Sequence, residues 1–232
     1  MSKWYENDKC SDGIIISSRV RLARNLKKYN FHNKLSNADA ERMINEVKDS
    51  ITGSRTVFGE QFKYIAINSL NENEKFALVE KHVISPELMK SSKPCGVLVK
   101  DDETISIMLN EEDHIRIQAI SAGDDLDTAF DLADKIDNLI EESVEYAFSE
   151  KYGYLTSCPT NVGTGLRASY MMHLPELERT GQIKNVMQAI SKFGITVRGI
   201  YGEGSDAKGA QYQISNQITL GISEEMAVQN LQ

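Results

Sequence analysis

Arg19 and Arg21 stand two residues apart in Ser17-Ser18-Arg19-Val20-Arg21-Leu22-Ala23-Arg24. Side chains of an extended segment alternate between faces, so both guanidinium groups point the same way. Two such forks side by side suit a polyphosphate; a solvated strand edge that happens to be positive is the other reading of this stretch taken alone. Asn110-Glu111-Glu112-Asp113-His114-Ile115-Arg116 sets three carboxylates beside a strand-like run. The like charges of Glu111 and Asp113 should raise the proton affinity of Glu112 and make it a better base, although an acidic surface turn also fits. Cys158-Pro159-Thr160-Asn161-Val162-Gly163-Thr164-Gly165 places a thiol, a proline and small residues ahead of Arg167. It reads as a redox or metal site, as a phosphate loop, or as a tight connection. Cys10, Cys95 and Cys158 are widely spread, with no C-x-x-C and no Cys/His cluster, which supports neither zinc nor a disulfide framework.

The elements that must position these groups are legible from turn signals and periodicity. Ser36 to Asp39 looks like a capping box, followed by helically spaced Ala40, Met43, Ile44, Val47 and Ile51 up to Thr52-Gly53. A second helix runs from Asn71, with Glu74 three residues on, to His82. Short Val- and Ile-rich runs at 62–67, 96–100 and 104–109 predict strands, the last two joined by a turn at Asp101-Asp102-Glu103. Leu126, Ala129, Phe130, Ala133, Ile136, Leu139, Ile140, Val144 and Ala147 form one apolar stripe, which predicts a long helix lying across a sheet. After it come strands at 166–174, 195–201 and 211–220 and a helix at 182–193. The stretch 202–209 is Gly-rich and polar and suits a mobile loop. Strands in runs rather than in strict alternation with helices predict an α+β fold with a mostly antiparallel sheet flanked by helices.

The chain has 232 residues, 41% apolar and 26% charged, enough to bury a real core. A net charge of −8 disfavours nucleic acid as a partner and suits a cationic one. No apolar run is long enough to span a bilayer, and Met-Ser-Lys-Trp-Tyr-Glu lacks the apolar core of a signal peptide, so a cytoplasmic setting without membrane contact is expected. Ser223, with Glu224 and Glu225 behind it, starts an amphipathic pattern that stops at Gln232. This predicts either a truncated helix or a short one docked on the core.

Four segments, at 17–24, 110–116, 158–169 and 197–204 (Val-Arg-Gly-Ile-Tyr-Gly-Glu-Gly), resemble in order and rough spacing the phosphagen (guanidino) kinase family, over nearly the whole chain. The resemblance implies a glutamine synthetase/guanidino kinase-like catalytic domain over residues 1–222, with 223–232 the start of a truncated C-terminal helix. Gly-Glu-Gly-Ser after Tyr201, and Met171-Met172-His173-Leu174-Pro175 after Arg-Ala-Ser, are similar to the branch that phosphorylates arginine side chains of proteins. That branch continues into a helical C-terminal domain linked to dimerisation and phosphoarginine binding. Metabolite kinases of the family carry a helical domain ahead of the motif set, whose absence would leave a site open to a protein chain.

By the same resemblance Glu112 and Glu203 match two substrate-binding carboxylates, with Glu112 the first candidate for base and Glu111 beside it. Cys158 becomes a thiol facing the guanidinium that helps orient it without a covalent step. Arg19, Arg21, Arg116, Arg167 and Arg198 match the cluster around the ATP phosphates. Ser17, Ser18, Val20, Ala168, Ser169, Tyr170, Met171, Gly199, Ile200, Tyr201 and Gly202 complete the implied nucleotide pocket, with His82 near the adenine or, on the residues alone, an ordinary helix-terminal histidine. ATP and Mg2+ are the implied cofactors, the metal bridging phosphates. Arginine-containing proteins are the implied substrates, and a zinc-binding activator protein and a Clp chaperone-protease the implied partners in stress-linked quality control. Met171 stands where metabolite kinases often carry histidine, and Tyr201 replaces an arginine, which puts small-guanidine specificity in doubt. G-x-x-x-x-G-K-[ST], H-R-D and D-F-G are absent. A kinase of free arginine or another small guanidine, and a catalytically silent nucleotide-binding scaffold, are the alternatives.

Overall fold

The computed structural model describes residues 3–6, 13–53, 59–199 and 209–232. In chain order come β1 (Ile15–Arg24), α1 (Asn37–Thr52), β2 (Phe62–Ala66), α2 (Glu72–Glu80), α3 (Pro86–Lys90), β3 (Gly96–Lys100), β4 (Ile105–Leu109), β5 (Ile115–Ala122) and α4 (Leu126–Glu141). The short pair β6 (Phe148–Ser149) and β7 (Gly153–Tyr154) follows, then β8 (Leu166–His173), α5 (Pro175–Arg179), α6 (Ile183–Ser191), β9 (Ile195–Arg198), β10 (Gln211–Asn216) and α7 (Glu224–Gln229). Among the described residues eight strands make one sheet in the order β2-β3-β4-β5-β1-β8-β10-β9, and each neighbouring pair is antiparallel. This is the expected α+β class.

Local chemistry explains most boundaries. The Ser36 hydroxyl accepts the Asp39 amide and starts α1, but the Asp39 carboxylate takes the Ser36 hydroxyl rather than its amide, so the expected capping box is only half made. At α2 the box between Asn71 and Glu74 is complete. The apolar stripe expected to run through Ala147 leaves the helix at Glu141. Val144 and Ala147 are still buried, but the Ala147 amide donates to Asn25 O and Tyr146 bridges Leu26, so backbone pairing with the end of β1 wins over the next helical turn. β10 stops at Asn216, short of Leu220, because the Asn216 side-chain amide donates to Leu166 O and Ile218 O and turns the chain inward. The five-residue helices α3 and α5, each with proline in the first turn, are too short to show a periodic signal.

The sheet has two unlike faces, and the alternation of β1 creates both. Val20 and Leu22 pack with Ile117 and Ala119 of β5, Leu166 and Ala168 of β8, and the inner stripes of α1 and α4. Each large aliphatic side chain buried there contributes about 1.5–3 kcal/mol. The Ser18 hydroxyl accepts the Asp125 amide at 2.9 Å, fixing the start of α4 against the sheet. α7 adds Ala227, Val228 and the following Leu231 to this core. No helix among the described residues is long and apolar enough to cross a membrane.

Arg24, the last residue of β1, falls on the apolar face and is fully buried. Such burial requires complete pairing, and Arg24 has it. Its guanidinium meets Asp137 of α4 at 2.6 Å and Glu224 of α7 at 2.8 Å, and lies 3.6 Å over the Tyr154 ring. It also donates to Thr164 O at 2.8 Å. Against the opposing pull of burial, Asp137 and then Glu224 raise its pKa.

Candidate active site

Residues directly opposite in an antiparallel pair share a face. Arg21 therefore lies beside Gln118 of β5 and Arg167 of β8, Arg19 beside Ile120 and Ser169, and Arg116 beside Ala23. Arg198 of β9 stands opposite Gln213 of β10, which accepts from Arg19 Nη2 at 2.7 Å. The face away from α4 thus carries all five arginines of the expected cluster. Burial, then repulsion from Arg116, lowers Arg19 to about 10. Burial, then Arg19, Arg116 and Arg167, hold Arg21 well below its ordinary value, with Glu111 opposing. Arg21 Nε is buried and makes no hydrogen bond among the described residues. Crowded cations with a donor to spare fit a polyphosphate, whose oxygens supply acceptors and opposite charge. The reading of β1 as a merely solvated positive edge fails, since β1 lies inside the sheet.

The carboxylates sit in the turn between β4 and β5. Asn110 takes up a left-handed conformation (φ 60°), which asparagine tolerates better than most residues. Glu111 turns inward, meets Arg116 at 2.6 Å and accepts from the Ser85 hydroxyl. Asp113 is buried and accepts from Asn25 Nδ2 at 2.6 Å and from the Ser157 amide at 2.7 Å. Glu112 points outward, 3.3 Å from Arg116, with 45% of its side chain exposed. Two of the three acids therefore hold the turn in place and one is presented. Burial raises the Glu112 pKa, Arg116 opposes, and Asp113 and Glu111 add to the rise, while a hydrogen bond with Cys158 lowers it. The expected effect of the like-charged neighbours is present, but burial is the larger cause.

Cys158 precedes the single turn Pro159–Asn161 and lies 3.1 Å from Thr160 Oγ1. At Gly163 (φ 114°) an added Cβ would sit 2.1 Å from Thr219 O, so only glycine lets the loop return. The loop is tied at the Ser157 amide to Asp113 and at Thr164 O to Arg24. Together these ties bring Cys158 to Glu112. Arg21, Arg116, Arg167, Arg198, Glu112, Cys158, Thr160 and Asn161 line one cleft. Among the described residues no group of three or more His, Cys, Asp or Glu could hold a metal ion.

A second cleft on the same face is lined by Ser17, Arg19, His82, Ile120, Ser169 and Met171. His82 follows α2 with φ 59°. Burial, then Arg19, lowers its pKa to about 4, which leaves a neutral ring at neutral pH. The alternation that gathers the arginines turns Ser18, Val20, Ala168 and Tyr170 the other way, into the core beside α4. Their side chains do not reach the cleft, contrary to a pocket drawn from unbroken runs of sequence. Gly199 is buried just beyond β9, whereas Ile200, Tyr201, Gly202 and Glu203, like Cys10, lie outside the described residues. Gln118, Gln213, Asn161 and Asn25 went unnoticed in the sequence. The alternation Gln211-Tyr212-Gln213-Ile214-Ser215 contained a polar face that could have revealed Gln213.

The duplicated taurocyamine kinase from Schistosoma mansoni, solved with bound transition state analog components, matches this fold with a TM-score of 0.88 at 26% identity, over 97% of this chain and 32% of that one. The domain therefore has the guanidino kinase catalytic fold. A family model described as ATP:guanido phosphotransferase, C-terminal catalytic domain, matches residues 42–232, and the chain belongs to that family. The protein-arginine kinase of Caldanaerobacter subterraneus subsp. tengcongensis is 52% identical over 94% of this chain and 65% of its own length. That of Clostridium kluyveri is 51% identical over 100% of this chain and 67% of its own length. The chain thus spans about two thirds of the length of these curated relatives.

Proposed function

We propose that this domain transfers the γ-phosphoryl group of ATP to arginine side chains of proteins. The observation that carries the reading is the cleft in which one partly buried carboxylate, Glu112, faces four arginines. Similarity to relatives named protein-arginine kinases directs it toward protein substrates. Arg21, Arg116, Arg167 and Arg198, with Arg19 alongside, bind the phosphates and stabilise charge in the transition state. The substrate guanidinium enters against Glu112, with Glu203 as a second carboxylate and the Cys158 thiol helping to align the planar group. One guanidinium nitrogen forms a bond to the γ-phosphorus as the bond to the ADP oxygen breaks, and the nitrogen's proton passes to Glu112. A magnesium ion, for which the described residues offer no group of three or more His, Cys, Asp or Glu, would supply further charge neutralisation when bound with the nucleotide.

His82 and Met171 both line the adjoining cleft, which this reading assigns to the adenine. On the family resemblance, the reading extends to a cytoplasmic setting and to a zinc-binding activator protein and a Clp chaperone-protease as partners. Phosphorus NMR of the chain with ATP, magnesium and an arginine-rich protein should show an acid-labile phosphoramidate. A signal only with free L-arginine would replace the reading with a metabolite kinase, and ATP binding without any phosphoramidate would leave a silent scaffold.

A further inference from the structure

Glu112 lines a second opening besides the arginine cleft. On its far side a groove runs between the segment after β1 and the chain around α3, walled by His32, Glu87, Lys90, Lys93 and Ser157. Its volume is about 450 Å³, against about 140 Å³ for the arginine cleft. The smaller space suits a planar head group; the larger lies in the range of about 300–1,000 Å³ typical of sites that engulf a sizeable ligand. Because Glu112 lines both spaces, a guanidinium held on it stands next to the larger one.

The groove is built in register with Glu112. Asn110, fully buried in the same turn, donates to Pro94 O at 2.6 Å, and its side-chain oxygen lies 3.0 Å from His32 Nδ1. Lys93 Nζ donates to His32 O at 2.6 Å and closes the ring. Both walls are therefore fixed to the turn that presents the carboxylate. Lys90, on the exposed side of α3, has no carboxylate within ion-pairing distance among the described residues, although Glu87 stands one turn earlier.

We propose that this groove holds the stretch of substrate polypeptide flanking the target arginine, and that Lys90, rather than Lys93, whose Nζ is taken by His32 O, favours an acidic residue in that flank. The inference rests on the reading that proteins are the substrates. It assigns Lys90 to substrate choice and leaves phosphate binding to the arginines.

Two peptides with a single arginine, identical except for glutamate or lysine in the flank, would be compared by kcat/KM for phosphoramidate formation with ATP and magnesium. An exposed ion pair is worth about 0.2–1 kcal/mol, so the unaltered chain should prefer the glutamate peptide by about 1.4-fold to fivefold. Lys90→Glu should reverse that order and leave the KM for ATP unchanged, with Lys90→Ala abolishing the preference. A preference untouched by Lys90→Glu sinks the groove assignment alone. An unaltered chain that phosphorylates neither peptide, nor any arginine-rich protein, sinks the parent reading and this one with it.

Discussion

Arg21 on β1 and Arg167 on β8 stand directly opposite each other across an antiparallel pair. Like charges so placed destabilise a sheet, and crowding by Arg19 and Arg116 adds to the effect of burial in pulling Arg21 below its ordinary pKa. A bound polyanion reverses the sign of this interaction. Arg21→Gln should therefore raise the thermal midpoint without nucleotide and shrink the rise caused by ATP. For the unaltered chain that rise corresponds to about 2.7 kcal/mol at a nucleotide concentration one hundredfold above Kd. An ATP-induced shift of undiminished size in Arg21→Gln would remove Arg21 from the phosphate site.

Glu112 should set the acidic limb of the pH–rate profile. Its pKa is raised chiefly by burial, and only the carboxylate form accepts a proton, so kcat/KM should fall with decreasing pH from a point above the usual glutamate range. Glu112→Gln should lower kcat by about 10²–10⁴ and erase that limb while retaining the thermal shift with ATP. Full turnover in the variant would mean that another group takes the proton.

His82 ties stability to pH in a different window. Its pKa is 6.5 for the free side chain and about 4 in the fold. Between these values the unfolded chain binds the extra proton, so stability rises with pH across the interval and is lost as pH falls from about 6.5 toward 4. The full effect is about 3 kcal/mol. His82→Asn keeps a residue tolerant of the positive φ and should flatten this slope in urea titrations at pH 7 and pH 4.5. An equal slope in both proteins would place the titrating group elsewhere.

Arg24 and Asp137 should behave as a pair. Arg24→Met strands Asp137 and leaves Glu224 without its cation, a loss of about 3–5 kcal/mol by denaturant unfolding. Adding Asp137→Leu should restore part of it, since the more buried of the two stranded carboxylates is then gone and Glu224, with 20% of its side chain exposed, is the one left unpaired. If the double variant is no better than the single one, the interaction with Thr164 O is the larger part.

Periodicity revealed what packing repeats. The capping residues of α1 and α2, the stripe of α4 and the paired arginines of β1 were all legible, because each depends on neighbours three, four or two residues away. The end of α4 was not, since it is decided by Asn25 and Leu26, more than a hundred residues earlier in the chain. The burial of Glu111 and Asp113 was likewise hidden: their partners Arg116, Ser85, Asn25 and Ser157 come from separate elements. Arg24 closes the arginine-rich stretch of β1 and carried no assigned role in the sequence. Counting its place in the strand assigns it to the opposite face, but nothing in the local sequence announces Asp137 and Glu224 as its counter-ions.

β1 has core pairs on either side and interleaves core with site: Val20 and Leu22 belong to one, Arg19 and Arg21 to the other. A slip of one residue would exchange these sets, driving two guanidinium groups beneath α4 and aliphatic side chains onto the phosphates. Correct registration is thus proofread twice, by hydrophobic burial during folding and by nucleotide affinity afterwards. ATP retention by a freshly refolded sample should consequently count correctly threaded molecules rather than merely compact ones.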